Sequence, residues 1–198
     1  MAGAHEHLEH AEHTEHAAHS NKNIALVIAV IALCLAFSET LGKSAQTAAL
    51  SHNVEASNLW AFFQAKTIRT TVLRTMSEMK KLEVEAAPDE AKRAELQKQI
   101  ETWNKTAARY DDEPSTNEGR KQLSARAIKE TKARDVAMDR YHLYEFASAA
   151  FQIGIVLCSA AVITSMVALA WLAGGLAAVG LGLMGLGLFM PDVMHFVH

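Results

Sequence analysis

Polar and apolar residues are segregated along this chain. From Phe146 to Met190, 45 consecutive residues contain no Asp, Glu, Lys or Arg. A helical span of a bilayer core needs about 20 apolar residues. A single straight helix of that run would be roughly 68 Å long, about twice the hydrocarbon thickness. The run is therefore expected to fold back on itself. Gly174-Gly175 is the expected turn, because glycine tolerates the backbone angles of a tight reversal. This predicts two spans, 146–173 and 176–190, and a tail at 191–198. An earlier apolar run, Ile24 to Phe37, extends through Ser38, Glu39, Thr40 and Leu41 to Gly42. With that extension it reaches about 28 Å, close to a full span. It is read as an uncleaved anchor over 23–42, since the residues before it are acidic and histidine-rich where a signal peptide has Lys and Arg.

Between these spans, 43–145 is polar and helical in pattern, with no strand periodicity. Pro88 and Pro114 divide it into three pieces. The first, from Lys43 to Ala86, contains no Pro or Gly and can continue the first span without a break. Its residues Ala65, Ile68, Val72, Met76 and Met79 recur at helical spacing, the mark of a packing face. The second, Asp89 to Tyr110, places Leu96, Ile100, Trp103, Ala107 and Tyr110 at alternating steps of four and three, a coiled-coil heptad seam. Loop residues follow over Asp111–Gly119 (DDEPSTNEG). A third helix begins near Arg120 and runs toward Tyr144 and the second span. The expected fold is an all-α membrane protein: three transmembrane helices, with a helical stalk or hairpin domain between the first and second. So thin a domain buries little core alone, so packing against copies of itself, a homo-oligomer, is expected.

Charge refines the picture. The middle segment holds 18 of the 19 Lys and Arg and 16 of the 22 acids, a balance of +2. That near-neutrality argues against a nucleic-acid surface, which is one-sided and basic. Arg120, Lys121, Arg126, Lys129, Lys132, Arg134 and Arg140 crowd the approach to the second span, and the tail after Met190 has no Lys or Arg. By the positive-inside rule the middle segment is expected in the cytoplasm, with the lipid bilayer as its first partner. Glu39, the only formal charge in the first apolar region, is expected at the interface beside Lys43, its i+4 neighbour. Gln152 is placed to bond across helices. The two cysteines, Cys34 and Cys158, lie in apolar runs and are read as packing residues.

The chemically loaded part is 1–22. His5, His7, His10, His13, His16 and His19 alternate with Glu6, Glu9, Glu12 and Glu15. Neutral imidazole is a common ligand for zinc, copper or nickel, and carboxylates can complete a shell. A strict three-residue step drifts about 60° per repeat around a helix, so several two-ligand sites are expected in place of one closed site. The same pattern also fits a charge-balanced surface helix or a set of pH-sensing histidines. Asp192, His195 and His198 form a smaller cluster of the same type. In the last span, Gly174, Ala178 and Gly182 make a small-xxx-small line that permits close helix approach. No nucleophile with a base, phosphate loop or supported carboxylate pair is present, so an enzyme is not expected and no cofactor is required.

Two passages carry a resemblance. They are EHLEHAEHTEHAAH (Glu6–His19) and NLWAFFQAKTIR (Asn58–Arg69), with one span after the first passage and two near the C-terminus. Together they resemble the bacterial membrane proteins of domain-of-unknown-function family 4337 over essentially the whole chain. Trp60, Phe63, Gln64, Ala65, Lys66 and Arg69 fit the second passage, while Thr67 stands where Ser is expected and Phe where Tyr is common. The resemblance implies the three-span architecture and a bacterial inner membrane, and it assigns no activity. Trp60, Phe63, Gln64 and Lys66 are expected to serve helix packing, within the chain or between copies. The expected role is therefore scaffolding through the helical domain, for itself or for another protein. Metal handling by the histidines is the alternative, and an oligomeric channel the third.

Overall fold

The computed structural model of the protein describes the backbone of residues 2–191 and the side chains of 22–191. Among the described residues the fold is all-α, with four helices: α1 (Ala2–Glu85), α2 (Glu90–Asp111), α3 (Arg120–Thr164) and α4 (Val167–Phe189). Among the described residues, three stretches are long and apolar enough to cross a membrane: Lys22–Glu85, Arg120–Thr164 and Val167–Phe189. Local sequence sets the helix ends. After Pro88, the extended Asp89 caps α2 by accepting a hydrogen bond from the Lys92 backbone N–H at 2.7 Å. Asn117 takes a left-handed conformation (φ 61°) in the loop before α3, one of the few non-glycine residue types suited to it.

Contacts divide the chain into two compact bodies, Met1–Ala48 with Val136–His198, and Ala49–Asp135. In the first, the buried core is Ile31 of α1, Ala147, Phe151 and Cys158 of α3, and Ala173 of α4. Cys34 packs against this core and Cys158 lies within it, and both are free thiols. The Ser38 hydroxyl donates to the Tyr144 carbonyl at 2.9 Å, bonding α1 to α3. A Cβ on Gly42 would sit in ordinary contact with that of Tyr144, at 3.5 Å.

The reversal between the last two helices is not at Gly174-Gly175. Both glycines lie inside α4, and the break falls at Ser165-Met166, where Ser165 adopts φ 55°. Packing explains the difference. A Cβ on Gly180 would meet the Phe151 ring at 2.8 Å, and one on Gly187 would meet the Tyr144 ring at 2.8 Å. Phe151 and Gly180 lie fourteen residues before Ser165 and after Met166, and Tyr144 and Gly187 lie twenty-one. Cys158 and Ala173, both fully buried, lie seven away on each side. α3 and α4 thus share an antiparallel heptad seam centred on the Ser165-Met166 bond, with a larger side chain on α3 facing a small residue on α4. A left-handed serine costs on the order of 1 kcal/mol, which that register offsets.

In the second body, α2 buries the seam read from its sequence, with Leu96 and Ala107 fully inside and Ile100, Trp103 and Tyr110 partly so. The inward face of α1 is different from the expected one. Its least exposed positions step by four and three through Ala49, His52, Ala56, Leu59, Phe63, Lys66, Thr70, Leu73 and Ser77. Leu59 and Phe63 pack with Leu123 and Ala127 of α3. The apolar stripe Ala65, Ile68, Val72, Met76 and Met79 is exposed. Ala65, Ile68, Val72 and Met79 each stand two residues past a seam position, about 200° around the helix, on the opposite side, and Met76 lies on the flank of the same face.

Candidate functional site

The segment Asn58–Arg69 has an inner and an outer side. On the inner side, Phe63 packs on α3, Trp60 meets its ring edge-on (centroids 5.5 Å apart, planes at 84°), and the Arg120 guanidinium lies over it at 5.2 Å. Lys66 is the unusual member, since only 11% of its side chain is exposed. Its ammonium lies 3.4 Å from Glu113, 3.9 Å from Glu118 and 5.2 Å from the centroid of Tyr110. An ammonium so far from water is held there by the two carboxylates and the ring face.

The loop after α2 closes around this lysine. Asp111 accepts from Arg120 at 2.6 Å and from Arg74. Asp112 accepts from Lys121 (2.9 Å) and Gln122 (2.6 Å). Those two donors hold the Asp112 carboxyl below the usual carboxylate range, and the same bond to Asp112 raises Lys121. The Glu113 N–H donates to Gln122 Oε1 at 3.3 Å. Gly119 has no room for a side chain, because a Cβ there would overlap the Glu113 backbone nitrogen. Tyr110, Asp111, Glu113 and Arg120 are not among the site residues expected from the sequence. Their signal is the run of acids in the loop, facing the two cations of α1 at Lys66 and Arg74.

On the outer side, Trp60 is at the margin of exposure and Gln64 is exposed, while Thr67 is half-buried and bonds back to the Phe63 carbonyl at 2.7 Å. They border the exposed stripe. From Leu50 to Leu82 that arc carries no charged residue, and its Leu50, Val54, Ile68, Val72, Met76, Met79 and Leu82 expose between 42 and 68% of their surface. The stripe is about 48 Å long.

The glycines of α4 also have two sides. Gly180 and Gly187 receive aromatic rings, whereas a Cβ on Gly174, Gly175, Gly182 or Gly185 would meet nothing within 4 Å. Ala178 is exposed between Gly174 and Gly182. Gln152 is exposed and has no side-chain hydrogen bond among the described residues. The side chains of His5, His7, His10, His13, His16 and His19 lie outside the described residues, as do Asp192, His195 and His198. Among the described residues no group of three or more His, Cys, Asp or Glu is placed to hold a metal ion.

A family model described as a domain of unknown function (DUF4337) matches residues 20–190. The chain belongs to this family. No curated protein and no solved structure matches it. The DUF4337 match includes the whole Asn58–Arg69 segment, the loop that closes on Lys66 and both sides of the α4 glycines. The histidines from His5 to His19 precede the matched residues. Of the two passages that resemble the family, only the second falls inside the match.

Proposed function

We propose that this DUF4337 protein crosses a bacterial inner membrane three times and acts as a scaffold that assembles with copies of itself through the outer stripe of α1. The observation that carries the reading is the charge-free exposed face from Leu50 to Leu82. Its seven large apolar side chains, at about 100 Å² apiece, offer roughly 700 Å², close to the ~800 Å² that each partner contributes to a standard interface. Isolated surface leucines need no explanation, but large apolar side chains lined along one helix face mark an interaction site. Within the membrane, the open Gly174, Ala178 and Gly182 line of α4 offers the copies a second close approach. The cationic approach along α3 supports a cytoplasmic position for the middle segment. The reading contains no catalytic step.

The test is the particle mass of full-length protein in mild detergent or nanodiscs. The native chain is expected as a dimer or larger, and the double variant Ile68→Glu/Val72→Glu as a smaller particle with the same helix content. Both residues are exposed in the single chain, so the substitutions act on association and leave the fold alone. A strictly monomeric native particle would overturn the scaffold reading.

A further inference from the structure

A cleft of about 410 Å³ opens between α1 and α3 within the first compact body. It is lined on α1 by Glu39, Gly42, Lys43 and Gln46, and on α3 by Tyr141, Tyr144 and Glu145. The expected pair between Glu39 and Lys43 does not form. Neither side chain has an ion-pair partner among the described residues, although one turn of helix separates them. An unpaired anion and an unpaired cation therefore border the same cleft. Glu145 adds a second carboxylate, which accepts from the Tyr141 hydroxyl at 3.3 Å and lies 3.5 Å from His142.

We propose that this cleft binds the headgroup of an aminophospholipid, a zwitterion with a primary ammonium and a phosphate. Glu39 and Glu145 take the ammonium, whose three N–H donors suit two carboxylates, and Lys43 with Gln46 takes the phosphate. The lining carries two acids and one base, which favours a ligand with a cationic end over a purely anionic one. The cleft's place in the chain selects a lipid over a free metabolite. Phe37 directly precedes Ser38, Phe146 directly follows Glu145, and both phenylalanines are exposed, the first at the end of one apolar run and the second at the start of the next. Acyl chains joined to the headgroup would lie along those runs. Tyrosines flanking the site match the usual enrichment of Tyr at the membrane–water boundary.

The inference rests on α1 and α3 crossing the membrane and not on self-assembly, so carbonate-resistant membrane association is measured first on the same preparation. Delipidated full-length protein in detergent is then titrated with phosphatidylethanolamine, phosphatidylglycerol and phosphatidylcholine, and bound lipid is counted by native mass spectrometry. Phosphatidylethanolamine is expected to bind at least tenfold more tightly than the other two. Glu39→Gln/Glu145→Gln is expected to abolish that preference, while Lys43→Gln weakens all three lipids. Soluble glycerophosphoethanolamine is expected to compete only at far higher concentration. Equal retention of the three lipids by the native protein, which needs no variant, would show annular lipid only and overturn the proposal. A preference for phosphatidylglycerol, or equally tight binding of the soluble headgroup, would overturn it too. Loss of membrane association would instead count against the three-span reading.

Discussion

Lys66 joins the first helix to the loop that follows the second. Its ammonium and Glu113 are both largely withdrawn from water, at 11 and 16% side-chain exposure. Removing one partner of such a pair leaves the other desolvated and unmatched. Lys66→Ala is therefore expected to lower unfolding stability by about 1–3 kcal/mol in denaturant titrations, well beyond the loss from an exposed lysine such as Lys105. Gly119→Ala acts on the same loop through sterics, because the backbone of Glu113 must move to admit the methyl group. A comparable loss of about 1–3 kcal/mol is expected. Asp112 supplies the pH dependence. Its carboxyl is held below the unfolded value, so its contribution is fully present above about pH 4 and is lost as pH falls through the lower folded value. Stability of the native chain measured between pH 6 and pH 2 should therefore fall more steeply than that of Asp112→Asn.

At the scale of elements, the seam of α2 was legible and that of α1 was not, for a physical reason. Leu96, Ile100 and Trp103 announce their face by hydrophobicity. The inward face of α1 uses Ala49, Ala56, Thr70 and Ser77, whose small side chains allow close approach but give a weak apolar signal. A search for hydrophobic periodicity therefore finds the opposite face, where Ile68, Val72 and Met79 lie. The outward position of those residues cannot be deduced from spacing, since periodicity reports that a face is apolar and not what covers it. The seam also carries a weakness. The hydroxyls of Thr70 and Ser77 are buried without a hydrogen-bond partner among the described residues. Thr70→Val keeps the shape and removes the orphaned group, so a gain of about 1 kcal/mol is expected in thermal unfolding. Glycine misled in the last two helices because it is read as a turn signal. Gly180 and Gly187 serve instead as recesses for the rings of Phe151 and Tyr144. Gly180→Leu should disrupt that hairpin, whereas Gly182→Leu, which meets open space, should spare the fold and weaken association of copies.

For the whole molecule, three features came from sequence: the all-helical class, the three stretches able to cross a membrane, and the family. Each rests on long-range composition, which survives ignorance of packing. The clamp on Lys66 and the cleft beside Glu39 depend on which side chains meet across helices, and the charge pattern leaves many partners open. The hairpin of α3 and α4 has a consequence of its own. Its matched residues recur every seven positions on either side of one bond, so the arms behave like the two halves of a ruler folded at its zero mark. Adding seven residues to each arm would keep every ring opposite its recess and lengthen the hairpin by about 10 Å. Adding a single residue to one arm would misalign all the pairs together. A hairpin built this way can be fitted to a thicker or thinner bilayer only in whole heptads.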